Sequence, residues 1–133
     1  MARRMPYTQI LAFDLNPKAQ EVCKDLALKN GVADRVKVGA LFKPEDFETY
    51  RNQKVLVLCD IEGAEKELLN PEAAPVLKGM DIIVESHECL LLGITQVLFD
   101  RFKETHHITL VNDNGQRQLE NSPPWFNNLA HLD

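Results

Sequence analysis

The sequence predicts an α/β fold: a mostly parallel sheet with helices on both faces, truncated at its N-terminus. Three observations predict it. Short apolar runs alternate with helical patterns along the whole chain, the mark of strands joined by helical crossovers. Three of those runs close on an acid, at Asp14, Asp60 and Glu85. Only nine residues precede the first run and none is glycine, whereas a dinucleotide-type site needs a glycine-rich turn one strand earlier.

Each element has its own local reason. Ile10–Phe13 is a short apolar run with polar flanks, hence a buried strand. Asn16 can cap the next helix, and Pro17 suits its first position because that N–H would be unpaired anyway. Ala19, Val22, Cys23, Leu26 and Ala27 recur at helical spacing as one apolar face. Gly31 can take the left-handed conformation that stops the helix. Val36 and Val38 alternate with Arg35 and Lys37, a strand nearer a sheet edge. Lys43–Asn52 is polar and contains Pro44, so it reads as a loop with a short helical turn.

Val55–Cys59 is continuously apolar, as in a central parallel strand covered on both faces. A helix is expected over Ala64–Leu69, with Pro71 and Pro75 breaking or restarting it. Met80–Val84 is another buried strand. Leu91, Ile94, Leu98 and Phe102 mark one face of a longer helix, and Ile108–Val111 a last strand. Asn112–Gly115 reads as a turn of hairpin type. Gln116–Asp133, with Pro123-Pro124, reads as an irregular tail, and Trp125-Phe126 within it as cover for the sheet. This order gives one Rossmann-like domain over residues 1–133, with right-handed crossovers and ligands beyond the strands' C-terminal ends.

Composition excludes several classes. The 133 residues carry 44% apolar and 26% charged side chains, ordinary for a soluble globular protein. No run is long enough to span a bilayer, and the two arginines near the N-terminus are not followed by the apolar stretch of a signal peptide. A net charge of −5 with scattered basic residues argues against nucleic acid as partner. Cys23, Cys59 and Cys89 are too few and too dispersed for a metal knuckle, and read as reduced, mostly buried thiols of a cytoplasmic protein.

The three strand-end acids carry the functional expectation, because parallel strands bring such ends to one side of the sheet. An acid at a strand tip suits the hydroxyl pair of a ribose. Other clusters weigh less. His106-His107 point opposite ways if they lie on a strand. Asp60 and Glu62 lack the phosphate-binding loop that would accompany a divalent ion, so no metal site is expected.

Phe13-Asp14-Leu15-Asn16-Pro17 through Asn30-Gly31 resembles the second strand, helix and third strand of class I S-adenosylmethionine-dependent methyltransferases. Asp60-Ile61-Glu62-Gly63-Ala64-Glu65 resembles the fourth-strand motif of their FkbM-type branch, and Ile82-Ile83-Val84-Glu85-Ser86-His87 its fifth strand. The resemblance covers roughly residues 7–111. It implies S-adenosylmethionine as cofactor, with Asp14 on the ribose, Leu15, Asn16, Ala40 and Leu41 around the adenine, and Asp60 beside the methionine moiety. It also implies a small-molecule methyl acceptor, O-methylation, and Asp60, Glu85 or His87 as base.

The family's first strand and glycine-rich loop are not found in the chain. Weak cofactor binding and little activity are therefore expected, either from a fragment of such an enzyme or from a non-catalytic remnant that acts through protein contacts. Without that strand, Ile10–Phe13 has to pair with Val55–Cys59, or either has to pair with a second copy, and a homodimer is the expected state.

Overall fold

The computed structural model describes residues 1–112. In chain order these form β1 (Ile10–Phe13), α1 (Pro17–Lys29), β2 (Val36–Gly39), a 3₁₀ turn over Pro44–Tyr50, β3 (Leu56–Cys59), α2 (Glu65–Leu68), a second 3₁₀ turn over Pro75–Gly79, β4 (Asp81–Val84) and α3 (Ile94–Phe102). The class is α/β, as the alternation predicts.

The strands pair in parallel, but in two separate sheets of two strands. Ile10 pairs with Val36 and Phe13 with Gly39; Leu56 pairs with Asp81 and Cys59 with Val84. No ladder joins β1 to β3 among the described residues, so the direct pairing of these two strands is not formed. Among the described residues, each keeps one hydrogen-bonding edge that no strand occupies.

Local chemistry sets the helix ends as expected. The Asn16 side chain accepts from the Lys18 N–H at 3.0 Å, and Pro17 opens α1. The helix stops where Gly31 adopts φ +65°, letting the Val32 N–H reach back to the Ala27 carbonyl at 3.0 Å. Its buried stripe is narrower than the spacing predicts. Ala27 is buried and Ala19 and Cys23 half-buried, whereas Val22 and Leu26 are exposed. Two strands offer α1 only a narrow face, and Ala12 and Val38 meet Ala19 and Cys23 around a small cavity of about 140 Å³. On the other face Phe13 lies directly over Gly39, where a Cβ would sit 2.5 Å from the ring.

The main core belongs to the second half. Phe47, Cys59, Leu69, Ala74, Leu77, Met80, Ile94, Leu98 and Phe102 form one buried cluster, with Val57, Ile82 and Val84 packed on it from one face of the β3–β4 sheet. Among the described residues nothing covers the opposite face: Leu56, Leu58 and Ile83 are 45%, 63% and 54% exposed. The expectation that Val55–Cys59 is covered on both sides is thus corrected. An aromatic chain joins the halves, with the Phe13 and Phe42 ring centres 4.6 Å apart and those of Phe42 and Phe47 4.8 Å apart.

The last expected strand is not formed either. Residues 107–112 have no ladder partner. Ile108 packs on the core, while Leu110 and Val111 are exposed, so one anchor and not a strand accounts for that apolar run. The remainder of the Asn112–Gly115 turn, the 116–133 tail and Trp125-Phe126 lie outside the described residues. No described helix is long and apolar enough to cross a membrane.

Candidate functional site

The parallel ladder of the second sheet sets the site. The Glu85 N–H donates to the Cys59 carbonyl at 3.0 Å, carrying the pairing one residue beyond β4. Asp60 and Glu85 therefore leave the sheet at the same, C-terminal end. Two residues on, His87 starts a turn in which its carbonyl accepts from the N–H groups of Leu90 and Leu91 at 2.9 and 3.0 Å. One donor atom from each of Asp60, Glu85 and His87 falls within 4.8 Å of the others.

The turn between β3 and α2 supplies a fourth member that the sequence reading left without a role. Glu62 and Gly63 both have positive φ, +52° and +102°, and this reversal directs the chain inward at Glu65. Glu65 is completely buried. Its Oε1 accepts from the Gly63 N–H at 3.1 Å and from His87 Nδ1 at 2.6 Å, while Oε2 has no partner. Glu65 stands four residues before Leu69, the C-cap of α2, which is also fully buried, so the two side chains turn inward together.

The electrostatics follow from these contacts. Burial pushes the Glu65 carboxyl up, but the N–H of Gly63, its own N–H and the His87 ring together hold it below the usual carboxylate range. The hydrogen bond to Glu65 raises His87 above an ordinary imidazole; burial opposes this, and the charges of Glu65, Asp60 and Glu85 add to the rise. With Nδ1–H committed to Glu65, His87 faces Asp60 through Nε2, 3.5 Å from Oδ1.

Neighbouring polar residues are engaged structurally. The Glu88 carboxylate accepts from the N–H groups of Gly93 and Thr95, both at 2.8 Å, and so caps α3; these bonds, the one from Thr95 first, lower its pKa. His106 Nε2 donates to the Met80 carbonyl at 2.8 Å and Nδ1 lies 2.8 Å from the Thr105 hydroxyl, so both ring nitrogens are engaged within the fold. Of the three thiols only Cys59 is buried; Cys23 is half-buried and Cys89 exposed, against the expectation of mostly buried cysteines. Burial first, then Glu65 and Asp60, push the Cys59 thiol up to about 11, far from a reactive thiolate.

Of the residues assigned to the cofactor, Asp60 follows β3 in the second sheet, whereas Asp14, Leu15, Asn16, Ala40 and Leu41 lie just beyond the C-terminal ends of β1 and β2 in the first. The Asp14 N–H donates to the Gly39 carbonyl at 3.3 Å, so Asp14 and Ala40 leave the C-terminal end of β1–β2 together. Asp14 Oδ1 accepts from the Asn16 N–H at 2.8 Å, and the Asp14 carbonyl takes a bond from Gln20 at 2.7 Å. Leu15, Asn16, Ala40 and Leu41 are exposed. Comparison of the chain with protein-family models, curated proteins and solved structures gave no match. Chemically, the second sheet offers a proton acceptor or a cation site; the first offers one oriented carboxylate beside exposed apolar and amide groups.

Proposed function

We propose that this chain is an S-adenosylmethionine-dependent O-methyltransferase built on a Rossmann-like sheet, or a fragment of one, weak or inactive in this form. The observation that carries the proposal is the convergence of Asp60, Glu85 and His87 at one sheet end. The resemblance of the strand-end motifs supports it. Methyl transfer is an in-line displacement: the acceptor oxygen bonds to the sulfonium methyl carbon, the carbon–sulfur bond breaks with its electrons going to sulfur, and the hydroxyl proton passes to a base. The protein's part is alignment and that base. Asp14 binds the ribose, and one of Asp60, Glu85 and His87 takes the proton.

Titration calorimetry tests this proposal. The 133-residue chain is expected to bind S-adenosylmethionine weakly or undetectably. A version extended at its N-terminus by a family-type strand and glycine-rich loop is expected to bind clearly. In that version Asp14→Ala should lose about 1.5–3 kcal/mol, the usual worth of a hydrogen bond to a charged group. An extended protein that binds no cofactor sinks the proposal, and unchanged affinity in the variant sinks the ribose role.

Self-association is favoured by an independent observation, an apolar face of β3–β4 that no described residue covers, beside a strand edge that no described strand pairs with. Such edges recruit another chain, and we propose a second copy as the occupant. Light scattering should give twice the 15.1 kDa chain mass, and Leu58→Glu, at a site already 63% exposed, should shift the protein to monomer. A compact monomer at every concentration would exclude the dimer.

A further inference from the structure

We infer that Asp60, Glu85 and His87 bind a divalent first-row transition-metal ion, with Glu65 as the positioning residue behind His87. The claim goes beyond methyl transfer and does not depend on it.

Geometry is the first support. The His87 Nε2 to Asp60 Oδ1 separation is 3.5 Å. That is long for a hydrogen bond and close to the roughly 3.4 Å between two ligands of a tetrahedral ion with bonds of about 2.1 Å. Glu85 adds a carboxylate oxygen within the same 4.8 Å cluster. It is exposed, as is Asp60, so no packing holds either side chain away from a shared ion.

The hydrogen bonding behind the cluster is the second, independent support. A metal-binding histidine needs one ring nitrogen free and the other held, commonly by a carboxylate. Glu65 does this: it is fully buried and its Oε1 lies 2.6 Å from Nδ1. The tautomer this bond fixes presents Nε2 toward Asp60. The other Glu65 oxygen is buried without a partner, a costly arrangement for a carboxylate beside one imidazole alone. Charge agrees. Asp60, Glu65 and Glu85 are three acids around one histidine, and among the described residues no lysine or arginine forms an ion pair with any of them. A divalent cation supplies the missing positive charge.

The donor set selects the ion class. Two carboxylates with one imidazole suit Mn²⁺, Fe²⁺ or Zn²⁺ better than Mg²⁺ or Ca²⁺, which prefer oxygen alone. Among the described residues three protein ligands converge, and Asp60 and Glu85 face solvent, so the ion keeps open positions for water or a small oxygen ligand, the pattern of a working site and not of a structural one.

Mn²⁺ is the probe for the test, titrated into the full chain and followed by loss of the free-ion paramagnetic resonance signal. One ion per chain is expected, with ¹⁴N coupling from the coordinated imidazole in the pulsed spectrum, and tighter binding than Mg²⁺ in competition. Asp60→Asn, at an exposed side chain that no fold contact requires, should weaken binding at least tenfold with unchanged circular dichroism. His87→Ala should remove the ¹⁴N coupling. Glu65→Gln should weaken affinity about 10–100-fold while the coupling survives, as a positioning role requires. No binding, or binding that neither Asp60→Asn nor His87→Ala changes, overturns the site. Failure of S-adenosylmethionine binding leaves it untouched.

Discussion

Leu77→Ala is expected to lower the unfolding free energy by about 3–5 kcal/mol, the range for emptying a fully buried leucine site. Leu77 has no exposed surface and lies in the 3₁₀ turn over Pro75–Gly79, surrounded by the cluster that joins β3, β4 and α3. Its carbonyl also accepts from the Met80 N–H at 3.2 Å, the bond that leads the chain into β4. A cavity there has rigid walls on several sides, because Leu69 and Ile94 are equally buried. Domains of this size have only about 5–15 kcal/mol of stability, so the variant should be partly unfolded near physiological temperature. Leu26→Ala is the matched control. Helical spacing places Leu26 on a core face, yet it is 54% exposed, and its loss should be below about 0.5 kcal/mol. Urea denaturation followed by circular dichroism compares the two. Equal losses would show that the buried cluster is not the main source of stability.

Gly63→Ala is expected to cost about 1–3 kcal/mol, the penalty for holding a side chain in a sparsely populated backbone region. The cause is conformational. At φ +102° Gly63 lies beyond the left-handed helical well, while an added Cβ would meet only Leu90 at an ordinary 3.5 Å. Gly31, at φ +65°, lies within that well, so Gly31→Ala should cost less, about 1 kcal/mol. The Gly63 change carries a second consequence. Its N–H is one of the groups that hold Glu65 Oε1, so relaxing the turn should also loosen His87. The histidine ring resonances in nuclear magnetic resonance spectra should shift for Gly63→Ala and stay in place for Gly31→Ala. A smaller stability loss at Gly63 than at Gly31 would refute the strain assignment.

The functional region was legible in part. Asp60 and Glu85 were marked by ending apolar runs, and parallel pairing puts such ends together whatever lies between them in the chain. His87 followed from its place two residues after Glu85. Glu65 is not marked by the sequence, because a glutamate in a short helix usually faces water; its burial depends on the reversal at Glu62-Gly63, whose dihedrals no spacing rule gives. A cation site was set aside for Asp60 with Glu62 because no phosphate loop accompanies them. The cluster that did form draws on Glu85 and His87, which lie more than twenty residues further along.

The sequence by itself determined what depends on neighbours along the chain. The α/β alternation, the Asn16-Pro17 start and Gly31 stop of α1, the 3₁₀ turn after Pro44 and the strand cores of β1 to β4 all rest on dihedral preferences and short-range hydrogen bonds. Tertiary structure alone decided how many strands share a sheet and which apolar faces are covered. Leu56, Leu58, Val22 and Leu26 have the composition of a core and remain exposed. Ile108 and Val111 lie in one apolar run, yet Ile108 packs on the core and Val111 does not. Burial is a property of what lies opposite a side chain, and a strand becomes central only when both its edges find partners. Apolar spacing records the capacity to be covered. The covering surface, like the partner of a strand edge, comes from distant segments or another molecule, and its position is fixed only when the whole chain packs.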